Sequence, residues 1–367
     1  MKTRPVLKLV DARKKSTCAE AFRTAILMRH VFVCCLFLFS LSLFSPKASD
    51  QSAGDDVYRV SVRLVTVDVQ VSARKTHKTV RNLRQDDFEI YEDNVRQQIT
   101  SFSQDQLPLS IVFLFDLTDS VRPVLKSLAA GAMEALQHLK PEDEVAVMTY
   151  SASAHLIQDF TTDHELAVAA MEKASRMESD EAAFFNEGIF QAAKQLAKGH
   201  NPSSRRVVIW LTDDIPNFPS EETRARYGRS LGKARLHSEA EATAELLHAG
   251  ATVSTLLQRS GISDEEFSLR MSKAAQTMLD SMRYPPGSVR KYAFASGGEV
   301  IETSAKRMQE HLASLIDNLR LRYTLGYRPA ITQAKGKFSA IKVRLTPEAG
   351  KTIGGEVTIS ARKGYYH

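Results

Sequence analysis

Two aspartates follow apolar runs and could together hold a cation. Asp116 ends the run IVFLF and opens the motif D-L-T-D-S, in which Thr118 and Ser120 carry hydroxyls two and four positions further on. Asp213 stands in a second motif of this kind, W-L-T-D-D. Oxygen ligands of this type suit Mg²⁺ or another hard cation, which keeps water ligands and can therefore accept a carboxylate from outside.

A doubly wound, mostly parallel α/β sheet would bring these side chains together. Continuous apolar runs are typical of parallel strands buried on both faces, and apolar residues three or four apart are typical of helices. Such strands are predicted at 111–115, 144–150, 155–160, 206–213, 251–257 and 298–301, and helices at 121–139, 185–196, 240–248, 264–283 and 308–319. Ligands of such sheets bind beyond the carboxyl ends of the strands, so we expect Asp116 and Asp213 to share one edge.

Extended segments precede and follow this α/β region. Residues 58–71 alternate apolar and polar positions with one slip of phase, which predicts a long strand with a bulge. Two extended runs around Asp93-Asn94 predict a hairpin within 86–103. From Tyr323 three further strand-like runs follow, separated by 329–337 and 347–355. We predict that the segments from the two ends pair with each other to form an additional small β domain.

The first 49 residues have the character of an export leader. They hold nine Lys or Arg and only two acidic residues, and 31–44 form an apolar stretch of fourteen apolar or small residues. That stretch is too short for a membrane span of about 20 residues and fits a signal peptide, or an anchor if it is not cleaved. We therefore expect an exported protein, periplasmic, cell-surface or secreted, that meets the membrane only through an uncleaved leader.

Charge and cysteine usage restrict the function further. The remaining 318 residues carry 40 basic and 41 acidic side chains, so no basic surface for nucleic acid is expected. All three cysteines lie in the leader, which predicts a mature chain without disulfides. The sequence has no HExxH, no GxSxG after a strand and no P-loop, which argues against the common hydrolase and nucleotide-binding sites.

At the motif level the chain resembles the von Willebrand factor type A domain. Asp116-x-Thr118-x-Ser120 is similar to the D-x-S-x-S metal-ion-dependent adhesion site of that family, with Thr for the first Ser. Asp213 matches the family's later Asp, normally followed by Gly and here by Asp214. Over about 57–367 the chain also resembles the acidobacterial-type relatives of this family, through DFEIYEDN, the motif YTLGY at Tyr323–Tyr327 and the motif RKGYY at Arg362–Tyr366.

The resemblance implies an organisation and a function. After the leader (1–49), it divides the chain into an N-terminal β segment (57–107), a von Willebrand factor A-like domain (108–320) and a C-terminal β segment (321–367). It implies a non-enzymatic adhesion or scaffold protein with a Mg²⁺ site, or one for Mn²⁺ or Ca²⁺. Thr118 and Ser120 would hold the cation directly, Asp116 and Asp213 would act through hydrogen bonds or water, and an acidic side chain of a partner protein would complete the coordination.

One position departs from the family pattern, and two alternatives stay open. The family's middle ligand, a Thr, falls on Ala183, which offers no oxygen; Asn186, Glu187 or Asp180 are the candidates to replace it. The turn could instead be a metal-free helix cap in a scaffold protein that uses the same sheet face. A haloacid dehalogenase-like phosphatase also places an Asp after its first strand, but its general acid would stand at the position of Thr118.

Overall fold

Six strands form the central sheet of the protein, which is described here from a computed structural model. The structure describes residues 64–74, 78–104, 107–177, 183–214, 237–258, 288–330 and 333–367. The predicted leader, the part of the predicted first strand before Leu64, the candidate ligand Asp180 and the predicted helix at 264–283 lie outside these residues.

The central sheet confirms the predicted α/β fold. Its strands are β5 Leu109–Asp116, β6 Glu144–Tyr150, β7 Ala154–Thr161, β8 Arg205–Thr212, β9 Thr252–Gln258 and β10 Val300–Thr303, in the order β10-β9-β8-β5-β6-β7. Five strands run parallel, and β7 pairs antiparallel to β6 at one edge. Because β5 lies between β6 and β8, the chain builds first to one side of it and then to the other, which creates a ligand-binding crevice at the carboxyl ends.

Helices cover both faces of this sheet. They are α1 Arg122–Ala130, α2 Ala132–Leu136, α3 His164–Ser175, α4 Phe185–Leu196, α5 Glu239–His248, α6 Val289–Ser296 and α7 Met308–Arg320. All eight residues of β5 are buried, and they alternate between two apolar cores. Ile111, Phe113 and Phe115 pack with α1, α2, α3 and α7. Val112 and Leu114 face α4, α5 and α6 on the other side.

Several predicted helices differ in detail from those observed. The helix predicted over 121–139 is interrupted at Gly131, where the side chain of Gln309 occupies the space that a Cβ would need. The sequence prediction missed α3 and α6, although Asp163 caps α3 by accepting hydrogen bonds from two backbone N–H groups. The predicted connection at 347–355 contains a short helix, α8 Pro347–Ile353, capped by Thr346.

Strands from both ends of the chain mix in two antiparallel sheets. These strands are β1 Val65–Ala73, β2 Phe88–Glu92, β3 Val95–Gln97, β4 Ile99–Ser103, β11 Tyr323–Tyr327, β12 Phe338–Leu345, β13 Val357–Ala361 and β14 Gly364–Tyr366. One sheet has the order β13-β1-β11-β4 and the other β14-β12-β2-β3, so the predicted pairing of the end segments is confirmed. Asp93 and Asn94, both with positive φ, form the predicted turn between β2 and β3.

Within the residues that the structure describes, no helix combines the length and the apolar character needed to cross a bilayer.

Candidate cation site

The turn after β5 presents the first predicted site residues. Asp116 is the last residue of β5, and α1 begins six positions later at Arg122. The cap residue of α1 is Val121, and no side chain caps the helix. The hydroxyls of Thr118 and Ser120 therefore do not accept hydrogen bonds from the backbone N–H groups at the start of α1. A simple helix cap would require such hydrogen bonds.

A network of hydrogen bonds fixes the Asp116 carboxylate. Its Oδ1 accepts from the backbone N–H of Thr118 at 2.9 Å. Its Oδ2 accepts from the Tyr150 hydroxyl at 2.9 Å and the Thr212 hydroxyl at 3.0 Å. The indole N–H of Trp210 donates in turn to the Tyr150 oxygen at 3.0 Å. Because Asp116 is fully buried, these contacts hold its orientation against the floor of the site.

Two hydroxyls lie beside this carboxylate at different depths. Thr118 Oγ1 and Ser120 Oγ are 3.2 Å apart. Thr118 is buried, whereas Ser120 is exposed. The pair therefore leads from the buried carboxylate to the protein surface, where a partner could reach it.

Asp213 is placed at the same edge of the sheet as Asp116. It follows the last residue of β8, and β8 pairs in parallel with β5. Burial raises the pKa of Asp116 to about 6, and the negative charge of Asp213 is the second cause of that rise. The structure thus brings the two predicted carboxylates close enough to repel each other electrostatically.

Asp214 takes over the backbone role of the Gly expected after Asp213. Its φ is +59°, in the left-handed region that Gly adopts freely and that Asp tolerates better than most residues. Its carboxylate accepts from the backbone N–H of Val289 at 3.1 Å and so lies at the start of α6. Burial raises the pKa of Asp214 to about 6. The departure from the family pattern therefore keeps the turn and adds a third, half-buried acid beside Asp116 and Asp213.

The end of the loop before α4 and the first turn of α4 carry the position of the missing Thr and two candidates to replace it. Ala183 is buried there, and its neighbour Phe184 is hydrogen-bonded to the carbonyl of Ser151, just beyond β6. Asn186 accepts from the Tyr292 hydroxyl at 2.7 Å. Glu187 lies 2.6 Å from the His237 ring nitrogen. Both described candidates for the replacement, which lie in the first turn of α4, thus contact other partners.

Sequence reasoning missed the aromatic floor of the site. The Tyr150 ring packs edge-on against Phe185 and Trp210, with ring centroids 6.1 and 6.0 Å away. A Cβ on Gly188 would come within 2.9 Å of the Tyr150 ring. A larger residue at this position of α4 would therefore force a shift of the Tyr150 ring, which donates to Asp116. A polar residue ending a fully buried strand, as Tyr150 ends β6, is the signal that could have indicated it.

Asp119 is the acidic residue nearest in sequence to Thr118, the position where a phosphatase would carry its general acid. It does not lie with the carboxylates of Asp116 and Asp213. Its side chain is 93% exposed and pairs with Arg122 at 3.1 Å. Thr118 stands where such an enzyme would need its general acid, and Asp119 does not replace it.

The donor set matches a hard cation rather than a soft metal. Among the described residues, no group of three or more His, Cys, Asp and Glu is arranged to hold a metal ion. The oxygens at the edge of the sheet are instead two hydroxyls beside two buried carboxylates, a set that fits Mg²⁺, Mn²⁺ or Ca²⁺.

One family model and several solved structures are similar to parts of this chain. Residues 111–215 match the family model of the von Willebrand factor type A domain, and this part of the chain is such a domain. A von Willebrand factor type A structure from Catenulispora acidiphila is 12% identical, with a TM-score of 0.39, over 83% of this chain and 73% of that one. The pilus adhesin SpaC from Lactobacillus rhamnosus GG is 13% identical, with a TM-score of 0.38, over 70% of this chain and 35% of that one.

A third similar structure is proximal thread matrix protein 1 of the mussel byssus, at 12% identity and a TM-score of 0.37. The match covers 58% of this chain and 48% of the mussel protein, so the chain spans about half of that protein's length. No curated protein matches the sequence.

Proposed function

We propose that the von Willebrand factor type A domain of this chain binds a partner protein through a divalent cation held at the carboxyl edge of its sheet. The chain would be exported by its leader and would have no enzymatic activity. The observation that carries the proposal is the cluster of two buried, mutually repelling carboxylates beside a pair of hydroxyls that reaches the surface.

Electrostatics supports a cation at this position. Burying Asp116 next to Asp213 disfavours the charged carboxylate, which is why the pKa of Asp116 rises. A divalent cation would relieve that repulsion, with Thr118 and Ser120 as its direct ligands. Asp116 and Asp213 would act on it through water or hydrogen bonds. The bound ion would supply a positive centre with room for an acidic side chain of the partner.

A metal-independent scaffold is the second candidate, and the residues at the start of α4 favour it. Ala183 has no oxygen to offer, and Asn186 and Glu187 contact other side chains. Both oxygens of Asp116 are also satisfied within the protein. Under this alternative the same sheet edge would contact its partner without a cation.

Cation binding separates the two candidates, and a pair of neighbouring variants makes the test specific. Isothermal titration of the metal-free protein with Mg²⁺ and Mn²⁺ is expected to show one saturable site. Ser120→Ala removes a proposed ligand at an exposed position, so we expect affinity to fall by at least about tenfold. Trp210, the only tryptophan of the chain, is hydrogen-bonded to Tyr150 and gives a fluorescence signal from the same site.

Asp119→Asn is the matched control, because Asp119 lies beside Ser120 but points to solvent. It should bind the cation as the wild type does. Absence of binding by the wild type would favour the scaffold, and equal affinity in Ser120→Ala would remove Ser120 as a ligand of the cation.

Restoring a hydroxyl at residue 183 should strengthen the site. Ala183→Thr places an oxygen where the family carries its middle ligand, and each added ligand raises affinity for a hard cation. We expect affinity to increase about tenfold by the same titration. Ala183→Val is the control, since Val has the shape of Thr without the hydroxyl. An equal gain in both variants, or none in Ala183→Thr, would show that residue 183 does not face the cation.

A further inference from the structure

A cavity of about 340 Å³ lies at the opposite edge of the central sheet from Asp116 and Asp213. It lies between the start of β8, the residues that follow α5, and the antiparallel sheet of β13, β1, β11 and β4. The lining residues include Thr66, Asp68, Arg205, Arg206, Gly250 and Arg362. Pro202, Ser203 and Gly250 are exposed at its mouth. Its volume is at the lower end of the range for small-ligand sites, so it suits a small ligand.

Positive charge exceeds negative charge around this cavity. Three arginines line it, Arg205, Arg206 and Arg362, against the single carboxylate of Asp68. Asp68 pairs with the Nε of Arg205 at 3.1 Å, and the Arg205 side chain is only 1% exposed. One carboxylate thus partly neutralises one buried guanidinium, and the cavity keeps a net positive charge.

A fourth arginine close behind the cavity adds to the charge. Burial lowers the pKa of Arg322, and the charge of neighbouring Arg205 lowers it further, whereas Asp68 and Glu299 raise it. Arg322 donates to the hydroxyl of Thr252, which itself lines the cavity. The buried arginines therefore repel one another, and an anion bound between them would be stabilised.

Arg206 has hydrogen-bonding capacity to spare. One of its Nη atoms donates to the carbonyl of Ala249 at 2.9 Å, which fixes the half-buried side chain at the wall of the cavity. Among the described residues no carboxylate pairs with it. A guanidinium carries five N–H donors in a planar fork that matches two oxygens of a carboxylate or phosphate, so most of these donors remain for a ligand.

We propose that this cavity is an oxyanion-binding site, which takes a phosphate group or a carboxylate on the fork of Arg206. Arg205 is a positioning residue: it donates to the carbonyl of Leu319 at 2.6 Å and the hydroxyl of Thr324 at 3.2 Å, and so holds β8, α7 and β11 around the cavity. The domain then has two sites of opposite charge at opposite ends of its sheet. The second site does not depend on cation binding at the first.

Thermal unfolding in inorganic phosphate and in acetate tests this site, with sodium chloride at equal ionic strength as the reference. We expect a saturable rise in melting temperature with at least one of the two anions. Phosphate alone would identify a phosphate-type ligand, acetate alone a carboxylate, and both a general oxyanion site. Non-specific salt stabilisation does not saturate and would be shared by every variant.

Arg206→Gln should weaken the apparent affinity about tenfold, because it removes the charge and the fork. Arg206→Lys keeps the charge and should retain part of the binding. Partial binding in this variant would show that the loss in Arg206→Gln does not come from unfolding. Arg344→Gln is the control, since Arg344 is exposed and stacks over Tyr91. No saturable shift with either anion in the wild type, or an unchanged shift in Arg206→Gln, would overturn the proposal.

Discussion

Asp116→Asn is expected to abolish cation-dependent stabilisation and, in EDTA at pH 7, to make the protein more stable than the wild type. The side chain is fully buried beside Asp213, and its pKa is raised from 3.8 to about 6. A shift of this size corresponds to about 3 kcal/mol of unfavourable free energy for the ionised group at neutral pH. Asn keeps the shape of the side chain and removes the charge, so it relieves up to about that amount.

The pH dependence of this effect has a defined sign. The folded state binds the Asp116 proton more tightly than the unfolded state, so this group favours folding most below about pH 4. That contribution is lost as the pH rises from about 4 to about 6. The stability difference between Asp116→Asn and the wild type should therefore grow over this interval and level off above it.

Urea unfolding at several pH values, with EDTA and with Mg²⁺, measures both effects. Asp119→Asn, the same exchange at an exposed position, should behave as the wild type in every condition. If Asp116→Asn were less stable than the wild type in EDTA, the carboxylate would be favourable where it lies. If it still gained stability from Mg²⁺, Asp116 would not belong to the cation site.

Asp143→Ala should destabilise the fold by about 3–5 kcal/mol, since it leaves a charged group buried without its partner. Asp143 is fully buried and forms an ion pair with Arg320, which is itself almost fully buried. It also accepts from the backbone N–H of Leu109 at 2.8 Å and of Lys140 at 2.6 Å. Through Leu109 and Arg320, Asp143 thus joins the first residue of β5 to the end of α7.

Urea unfolding of Asp143→Ala and of the double variant Asp143→Ala/Arg320→Met checks this expectation. The double variant should recover much of the loss, because no unpaired guanidinium remains in the core. Cation affinity of the folded protein should be unchanged, since Asp143 lies at the end of the sheet away from Asp116. A loss below about 1 kcal/mol in the single variant would show that Arg320 finds another partner or reaches water.

Much of the fold could be predicted from the sequence, because β5 and β8 carry a local signal. An unbroken apolar run such as IVFLF is typical of a strand buried on both faces, and parallel pairing brings the residues at the ends of such strands to one edge. The adjacency of Asp116 and Asp213 follows from that pairing alone. Similarly, Asp93-Asn94 indicated its turn because few residues other than Gly tolerate positive φ.

Other features depend on contacts between distant parts of the chain and carry no local signal. The hydrogen bond from Tyr150 to Asp116 exists only because β6 lies beside β5 and because Gly188 leaves space for the ring. The engagement of Glu187 by His237 links residues 50 positions apart. The helix break at Gly131 depends on Gln309, which approaches from α7. Such pairs become visible only after the chain has folded.

A crystal structure of the protein grown with Mn²⁺ and recorded for anomalous scattering would locate the bound cation. We expect an anomalous peak beside the hydroxyl oxygens of Thr118 and Ser120, on the side where Asp116 and Asp213 converge. We also expect the peak to be lost in crystals of Asp116→Asn. A structure at saturating Mn²⁺ with no peak there, or with its only peak elsewhere on the molecule, would mean that these residues do not hold the cation.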